Sequence, residues 1–354
     1  MKVGFETIVN YLPDEILDVK KHFEYLKPVV EKMSLSAQGK LKNVPDQVRR
    51  LRDVSAAEMM AIAVGKKALE KSALVASDID AVIVTQTGGK QFMPLLGSFV
   101  HLNLGFRKDI IVRNIVDDNV STLNAAYIAW NFVKSGLCRR VLIITVAAQI
   151  GGQYKFGVDL TDPLAQNYGD GAAAAIISAE KLKCEFLSYH FETYSVKARP
   201  GGTLIANFGS VRPLMNPELA VAAGIESQGD QSGAYLVLDD PLFDVVASGE
   251  KFLSGSLEKT VKKAGLKLDD VKTLITPHIG YLENIWKEDI VKSGLNADIM
   301  KNLRKKYGNT AVADILIDLA EYAEDKELNK DAIVVLWSVC QGVQLAAMAL
   351  RWLV

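Results

Sequence analysis

A unit made of a helix followed by a strand occurs twice in this sequence, at residues 56–87 and again at residues 249–278. Each copy has a helix-length segment with a lysine-rich end, a turn of small residues, an acidic step and an apolar run of strand length. Such self-similarity is typical of a duplicated architecture, in which related units bury a shared core. We therefore expect two similar halves packed together.

Strand-like apolar runs alternate with helical segments along most of the chain, which predicts the α/β fold class. Such runs at 109–116 and 139–149 flank a helical segment at 121–136, and a further run follows at 172–180. We place the N-terminal half at residues 1–180 and the C-terminal half at residues 181–354. The pattern is weaker over about 181–240, which we interpret as inserted or linking structure.

Composition narrows the classes of function. The 354 residues are 49% hydrophobic, enough for a large core, and the formal net charge of -1 provides no basic field for nucleic acid or an anionic membrane. The three cysteines are odd in number and lack CxxC spacing, so neither a disulfide framework nor a zinc site is indicated. We therefore expect the cysteines to be buried free thiols. Because the N-terminus has no apolar run typical of a signal peptide, we also expect a cytoplasmic protein.

The C-terminal stretch 332–354 is nearly long and apolar enough to cross a bilayer. Its middle, however, contains Ser338, Gln341, Gly342 and Gln344, for which lipid offers no hydrogen-bond partners. The apolar runs on either side each have strand length. A buried strand–turn–strand pair therefore explains this stretch better than a membrane helix.

Five short motifs make the resemblance to a known family specific. They are YLPDEILD at 11–18, GDGAAAAI at 169–176, TPHIGYLEN at 276–284, YGNTAVADI at 307–315 and ALRW at 349–352. In this order they resemble the β-ketoacyl-acyl-carrier-protein synthases III of the thiolase superfamily. The resemblance implies a thiolase fold, a duplicated five-layered αβαβα structure that is usually a dimer, with the active site between the halves and no cofactor or metal.

The resemblance also implies where the catalytic groups would lie. The family uses a cysteine at the start of a buried helix as nucleophile, and a histidine and an asparagine as donors to the thioester carbonyl. His278 and Asn309 match the two donors. Counting back from VKSG at 133–136, the nucleophile position falls on Asn119, whose delocalised amide nitrogen cannot take an acyl group.

Each of these positions also has a structural interpretation. Asn119, with Asp117 and Asp118, would suit the N-cap of the following helix. His278 would be a satisfied core histidine, and Asn309, which follows a glycine, a turn residue.

Two further features bear on catalysis. Ser121 is a weak substitute nucleophile, because it would lie on another face of the helix and lacks a base nearby in the sequence. The segment SVCQGVQ at 338–344 replaces the consecutive glycines of the family, so the side chains of Cys340 and Gln341 would tend to fill the acyl pocket.

Two functions remain open on this sequence. In the first, the chain is a non-nucleophilic structural subunit of a multicomponent acyltransferase. The opening residues 1–26 and the absent cysteine resemble the synthase-III-like subunits of bacterial phloroglucinol acetyltransferases in antibiotic biosynthesis. That resemblance implies a cysteine-bearing thiolase-like partner and a small zinc-containing bridging subunit. In the second, the chain is a stand-alone acyltransferase that uses His278 without a covalent cysteine intermediate.

Overall fold

The computed structural model describes residues 1–31, 41, 43–88, 94–149, 167–194, 251–340 and 343–354. Its strands form two five-stranded sheets and one two-stranded ribbon. The first sheet contains β1 (Gly4–Tyr11), β4 (Ala81–Gly88), β5 (Ile111–Ile115), β6 (Val141–Ala148) and β7 (Gly171–Ser178). The second contains β8 (Cys184–Thr193), β9 (Val271–Ile275), β10 (Met300–Lys301), β11 (Ile333–Val339) and β12 (Gln344–Trp352). The ribbon pairs β2 (Glu15–Asp18) with β3 (Gln47–Arg50).

The two large sheets have the same topology. The first has the order β5-β4-β6-β7-β1 and the second has the order β10-β9-β11-β12-β8. In the first sheet β4 is parallel to both β5 and β6, and the pairs β6–β7 and β7–β1 are antiparallel. In the second sheet β9 is likewise parallel to β10 and β11, and the pairs β11–β12 and β12–β8 are antiparallel. The repeated helix–strand units of the sequence supply equivalent strands, β4 and β9. The predicted duplication is therefore confirmed.

Eight α-helices complete the described structure. They are α1 (Val19–Val30), α2 (Ala56–Ser72), α3 (Leu96–Leu104), α4 (Ser121–Lys134), α5 (Phe252–Lys263), α6 (Glu283–Lys292), α7 (Arg304–Tyr307) and α8 (Asp314–Glu324). One apolar cluster joins α4 and α8 to strands of both sheets. A second packs α2 and α3 on the outer face of the first sheet, and a third packs α5 and α6 on that of the second. The order of layers is thus αβαβα, as expected.

The C-terminal stretch forms the predicted strand pair. Strands β11 and β12 are antiparallel neighbours, with Val339 paired to Leu345 at the turn and Ile333 paired to Arg351 at the far end. Nearly all of their side chains are buried, which explains the long apolar run. Within the described residues, the helices are too short or too polar to cross a bilayer.

Two other sequence predictions have different outcomes. Cys138, Cys184 and Cys340 are buried and form no disulfide, as expected. The interpretation of 181–240 as insert or linker is wrong for its first part, because β8 is a ten-residue strand of the second sheet. Residues 195–240 lie outside the described residues.

Candidate active site

The site is organised around the segment 308–314, which connects α7 to α8. Its backbone carbonyls accept hydrogen bonds from three different parts of the fold. Nδ1 of His278 lies 2.6 Å from the Gly308 carbonyl, and Nε2 of Gln149 donates to the Asn309 carbonyl at 2.8 Å. The hydroxyl of Thr122, in the first turn of α4, donates to the carbonyl of Val312. His278 and Asn309, two of the positions singled out in the sequence, are therefore brought together at this segment.

Asn119 lies just before α4 and is 6% exposed. The hydroxyl of Ser338 on β11 donates to its backbone carbonyl at 2.9 Å, so this residue marks a contact between the two halves. No described residue is hydrogen-bonded to its carboxamide. The side chain at the position matched to the family nucleophile can thus donate or accept a hydrogen bond, but it cannot attack a thioester.

The predicted helix cap is wrong by one residue. The N-cap of α4 is Val120, which has no polar side chain, rather than one of the three preceding polar residues. The chain reaches the helix through Asp118, whose φ of 49° is left-handed, and the Asp118 carbonyl accepts from the Ser121 amide at 3.0 Å. Asp residues tolerate this conformation better than most, and this turn favours Asp at 118 independently of capping.

Ser121 is fully buried, and its hydroxyl oxygen accepts a hydrogen bond from the backbone amide of Asp117 at 2.6 Å. Among the described residues, no histidine or carboxylate oxygen is hydrogen-bonded to it. A serine needs an adjacent base to become a nucleophile. The geometry therefore gives Ser121 a role in closing the turn before α4.

His278 is buried on all sides and held between two carboxylates. Its Nδ1 lies 3.0 Å from Oδ1 of Asp314, in addition to the Gly308 carbonyl, and its Nε2 lies 2.9 Å from Oδ2 of Asp318. Its backbone amide donates to Oδ2 of Asp314 at 2.8 Å. Both ring nitrogens are therefore occupied by protein acceptors.

The charges around His278 determine its protonation. Complete burial disfavours the imidazolium, but the Coulombic attraction and hydrogen bonds of Asp314 and Asp318 outweigh burial and raise the pKa of His278 well above its ordinary value. Burial likewise raises the pKa of Asp318, and this effect is only partly opposed by the attraction of His278. A histidine in this setting is a poor general base, because it already carries the proton that a base must accept.

Asn309 lies in a tight turn beside the GDG motif. Its backbone amide donates to the Asn167 carbonyl at 2.7 Å, and its carbonyl accepts from the Gly169 amide at 3.0 Å. Its side-chain Oδ1 accepts from the Ala311 amide at 2.8 Å, an Asx-type turn. This geometry fits the turn interpretation, while the amide nitrogen of the side chain makes no hydrogen bond to a described residue.

The glycine-poor loop is described in part. Cys340 is buried, its amide donates to the Gln344 carbonyl, and its carbonyl accepts from the Val343 amide, both at 3.0 Å. Gln341 and Gly342 lie outside the described residues. In the part of the chain that the structure covers, no group of three or more His, Cys, Asp or Glu side chains is arranged to hold a metal ion.

Sequence reasoning missed the two aspartates that surround His278. Asp314 and Asp318 are four residues apart on α8, so they share one helix face, and both are fully buried. Charged residues are almost never fully buried unless they are paired. Two acids at this spacing within the apolar stretch ADILIDLA were the available signal.

Comparison with known proteins agrees with the fold. A family model described as "3-Oxoacyl-[acyl-carrier-protein (ACP)] synthase III C terminal" matches residues 261–352. A β-ketoacyl-(acyl-carrier-protein) synthase III of Staphylococcus haemolyticus is 22% identical over 355 residues, which cover 99% of each chain.

Solved structures show a similarity in fold over the same length of chain. 3-Oxoacyl-(acyl carrier protein) synthase III of Pseudomonas aeruginosa has a TM-score of 0.74 at 15% identity, covering 100% of this chain and 99% of that one. Cerulenin-bound OleA of Xanthomonas campestris has a TM-score of 0.78 at 15% identity, covering 99% of this chain and 97% of that one. The thiolase-type fold expected from the motifs is confirmed.

Proposed function

We propose that this chain, which is synthase-III-like in sequence and thiolase-type in fold, has a role in acyl transfer in which no covalent acyl-enzyme forms on the chain itself. The observation that carries the proposal is the carboxamide of Asn119 at the position matched to the nucleophile, two residues before the start of α4. An amide nitrogen is not nucleophilic at neutral pH. The carboxamides of Asn119 and Asn309 are suited to donating hydrogen bonds, whereas the family's first half-reaction needs a thiolate.

We further propose that the chain is a structural subunit whose partner supplies the missing cysteine. Oligomer interfaces of obligate complexes are large and apolar, so a chain that has lost a catalytic group can still be required to hold its partner. The partner would be a cysteine-bearing thiolase-like chain.

The finer identity is proposed on sequence resemblance alone. The opening residues 1–26 and the absent cysteine support a subunit of an acetyltransferase that C-acetylates a phloroglucinol-type acceptor in antibiotic biosynthesis, in the cytoplasm. A small zinc-containing protein would bridge the components.

The environment of His278 argues against a stand-alone acyltransferase. That alternative requires His278 to accept a proton from a substrate. Both of its ring nitrogens instead face acceptor oxygens of the protein, and its side chain is fully buried.

Intact-mass analysis after incubation with acetyl and malonyl thioesters tests the absence of an acyl-enzyme. We expect no mass shift from the purified chain, while a cysteine-bearing synthase III under the same conditions acquires one acyl group. A stoichiometric shift mapped to Ser121 or Cys340 would overturn the proposal.

Co-purification from the native host tests the subunit role separately. Mass spectrometry of the eluate should identify a cysteine-bearing thiolase homologue at a fixed ratio to this chain. Recovery of this chain by itself, with acyltransferase activity, would contradict a structural role.

A further inference from the structure

We propose that His278, Asp314 and Asp318 form a buried, pH-sensitive interlock, in which a doubly protonated imidazole holds the loop after β9 against the start of α8. Loss of that proton would loosen the segment 308–314 and with it the candidate site. The inference rests on the geometry of these three side chains and does not depend on the proposed function.

The first step of the argument is the identity of the atoms around the ring. Nδ1 faces the Gly308 carbonyl at 2.6 Å and Oδ1 of Asp314 at 3.0 Å, and Nε2 faces Oδ2 of Asp318 at 2.9 Å. A neutral imidazole has one N–H and one lone pair, so one nitrogen would direct its lone pair at an acceptor oxygen. The imidazolium has two N–H groups and satisfies both sides.

The second step concerns Asp318, which could in principle hold the proton instead. Its Oδ2 also accepts a hydrogen bond from the Leu303 backbone amide at 3.1 Å. Two donors directed at one oxygen favour the ionised carboxylate. We therefore place the proton on Nε2 of His278.

The third step concerns Asp314, whose two carboxylate oxygens both accept hydrogen bonds. It is the first residue of α8, where the helix dipole favours negative charge. Its Oδ1 accepts from the amide and the hydroxyl of Thr310, at 2.7 and 2.6 Å, and its Oδ2 accepts from the amide of His278. Asp314 thus ties the start of α8 to both the 308–314 segment and the loop after β9.

The surroundings add few other titratable groups. Tyr322 is buried one turn beyond Asp318 on α8. The pKa of its hydroxyl is raised, mainly by burial and to a smaller extent by the charge of Asp318. Lys301 lies 5.4 Å from the centre of the Tyr322 ring and pairs with Glu327 at 2.8 Å.

The guanidinium of Arg304 is bound to groups outside the interlock. It bonds the Asn43 carbonyl and side chain and the carboxylate of Glu283. The charge of His278 is therefore set by Asp314 and Asp318.

The sign of the pH dependence follows from these shifts. The pKa of His278 is raised in the folded state, so its contribution to stability is complete below the ordinary value of 6.5 and is lost as the pH rises through the raised value. Burial also raises the pKa of Asp318, which acts in the same direction at lower pH. The interlock should therefore weaken on the alkaline side.

Nitrogen-15 NMR of histidine-labelled protein tests the protonation state directly. His22, His101 and His190 can each be replaced by Gln to assign the remaining signals to His278, which itself stays intact. We expect both ring nitrogens of His278 to stay protonated above the usual titration range of histidine. A neutral His278 ring at neutral pH would overturn the proposal.

Urea unfolding as a function of pH tests the consequence for stability. Asp318→Asn removes one carboxylate while keeping an acceptor oxygen, so the pH at which stability is lost should shift to a lower value than in the wild type. Asp325→Asn, the same substitution at an exposed site at the end of α8, should leave the curve unchanged. Superimposable curves for wild type and Asp318→Asn would contradict the interlock, and a variant that fails to fold leaves the decision to the NMR measurement.

Discussion

Nε2 of His278 lies 2.9 Å from Oδ2 of Asp318, and neither side chain is exposed to solvent. In the family that the chain resembles, the matching histidine is expected to donate a hydrogen bond to a thioester carbonyl. Here the opposite nitrogen is also occupied, by the Gly308 carbonyl and Asp314. The imidazole has no N–H left for a substrate, because both ring nitrogens are directed at oxygens of the protein.

The first prediction is that His278→Ala destabilises the fold. Removing the imidazole leaves Asp314 and Asp318 buried together without their shared cation, and breaking a buried ion pair typically costs about 3–5 kcal/mol. We expect a decrease of this size in the free energy of unfolding, measured by urea denaturation at neutral pH.

A second histidine provides the matched control. His101 is partly exposed, and its Nε2 lies 2.8 Å from the Arg107 carbonyl, so His101→Ala should cost about 1 kcal/mol or less. A His278→Ala variant no less stable than His101→Ala would show that the two carboxylates do not depend on the imidazole.

Much of the fold could be predicted from the sequence because its apolar patterns are local. The repeated units at 56–87 and 249–278 indicate the duplication, and the run at 332–354 indicates a buried strand pair. Strand β8 was missed because the polar residues Ser188 and His190 occupy two of its buried positions, while the apolar Phe191 is exposed. The apolar residues of such a strand do not follow its alternation of buried and exposed positions.

The candidate site was less predictable because its contacts are long-range. The resemblance placed Asn119, His278 and Asn309 at the family positions, but it carried no information on Asp314 and Asp318. These residues lie 36 and 40 positions from His278 in sequence, and the fold alone brings them to its two nitrogens. The protonation of a histidine depends on such neighbours rather than on its own motif.

The second prediction concerns the thiols. Burial raises the pKa of Cys184 to about 12, and burial also raises the pKa of Cys138, so neither forms the reactive thiolate at neutral pH. We expect the native protein to react slowly with an aromatic disulfide reagent. The protein unfolded in urea should react at once, with an absorbance change that corresponds to three thiols. Rapid labelling of the native protein, mapped by peptide mass to Cys184, would be inconsistent with this burial.

The third prediction concerns the close approach at the GDG motif. A Cβ at Gly169 would lie 2.2 Å from the Tyr307 carbonyl oxygen, a backbone atom that cannot move without displacing the 308–314 segment. We expect Gly169→Ala to destabilise the protein by about 1–3 kcal/mol, the usual cost of overpacking, measured as a lower urea midpoint.

Gly255 in α5 is the control for this substitution. A Cβ there would meet its nearest atom at 3.6 Å, an ordinary contact. Gly255→Ala should be neutral or should stabilise by up to about 1 kcal/mol through helix propensity. Equal effects at the two glycines would mean that the backbone approach at Gly169 is not limiting.

The last prediction asks whether a thiol at the nucleophile position restores the family reaction. In Asn119→Cys the thiol would lie just before α4, where the helix dipole should lower its pKa. Asp117 and Asp118 are adjacent, and their charges should oppose both the thiolate and a malonyl anion. His278 cannot donate to the thioester carbonyl while both of its ring nitrogens are bound within the interlock.

We therefore expect Asn119→Cys to fold, to react slowly with iodoacetamide at the new thiol, and to release no carbon dioxide from malonyl thioesters above the background of Asn119→Ser. The serine variant keeps a small polar side chain at the same position and lacks the thiol, so the difference between the two variants isolates the nucleophile. Decarboxylation requires enolate stabilisation by positioned donors, and removing one such donor typically costs on the order of 10²–10³-fold in rate. Robust turnover by the cysteine variant would mean that His278 can leave Asp318 to serve the substrate, and that the chain lost its nucleophile while keeping the rest of a working site.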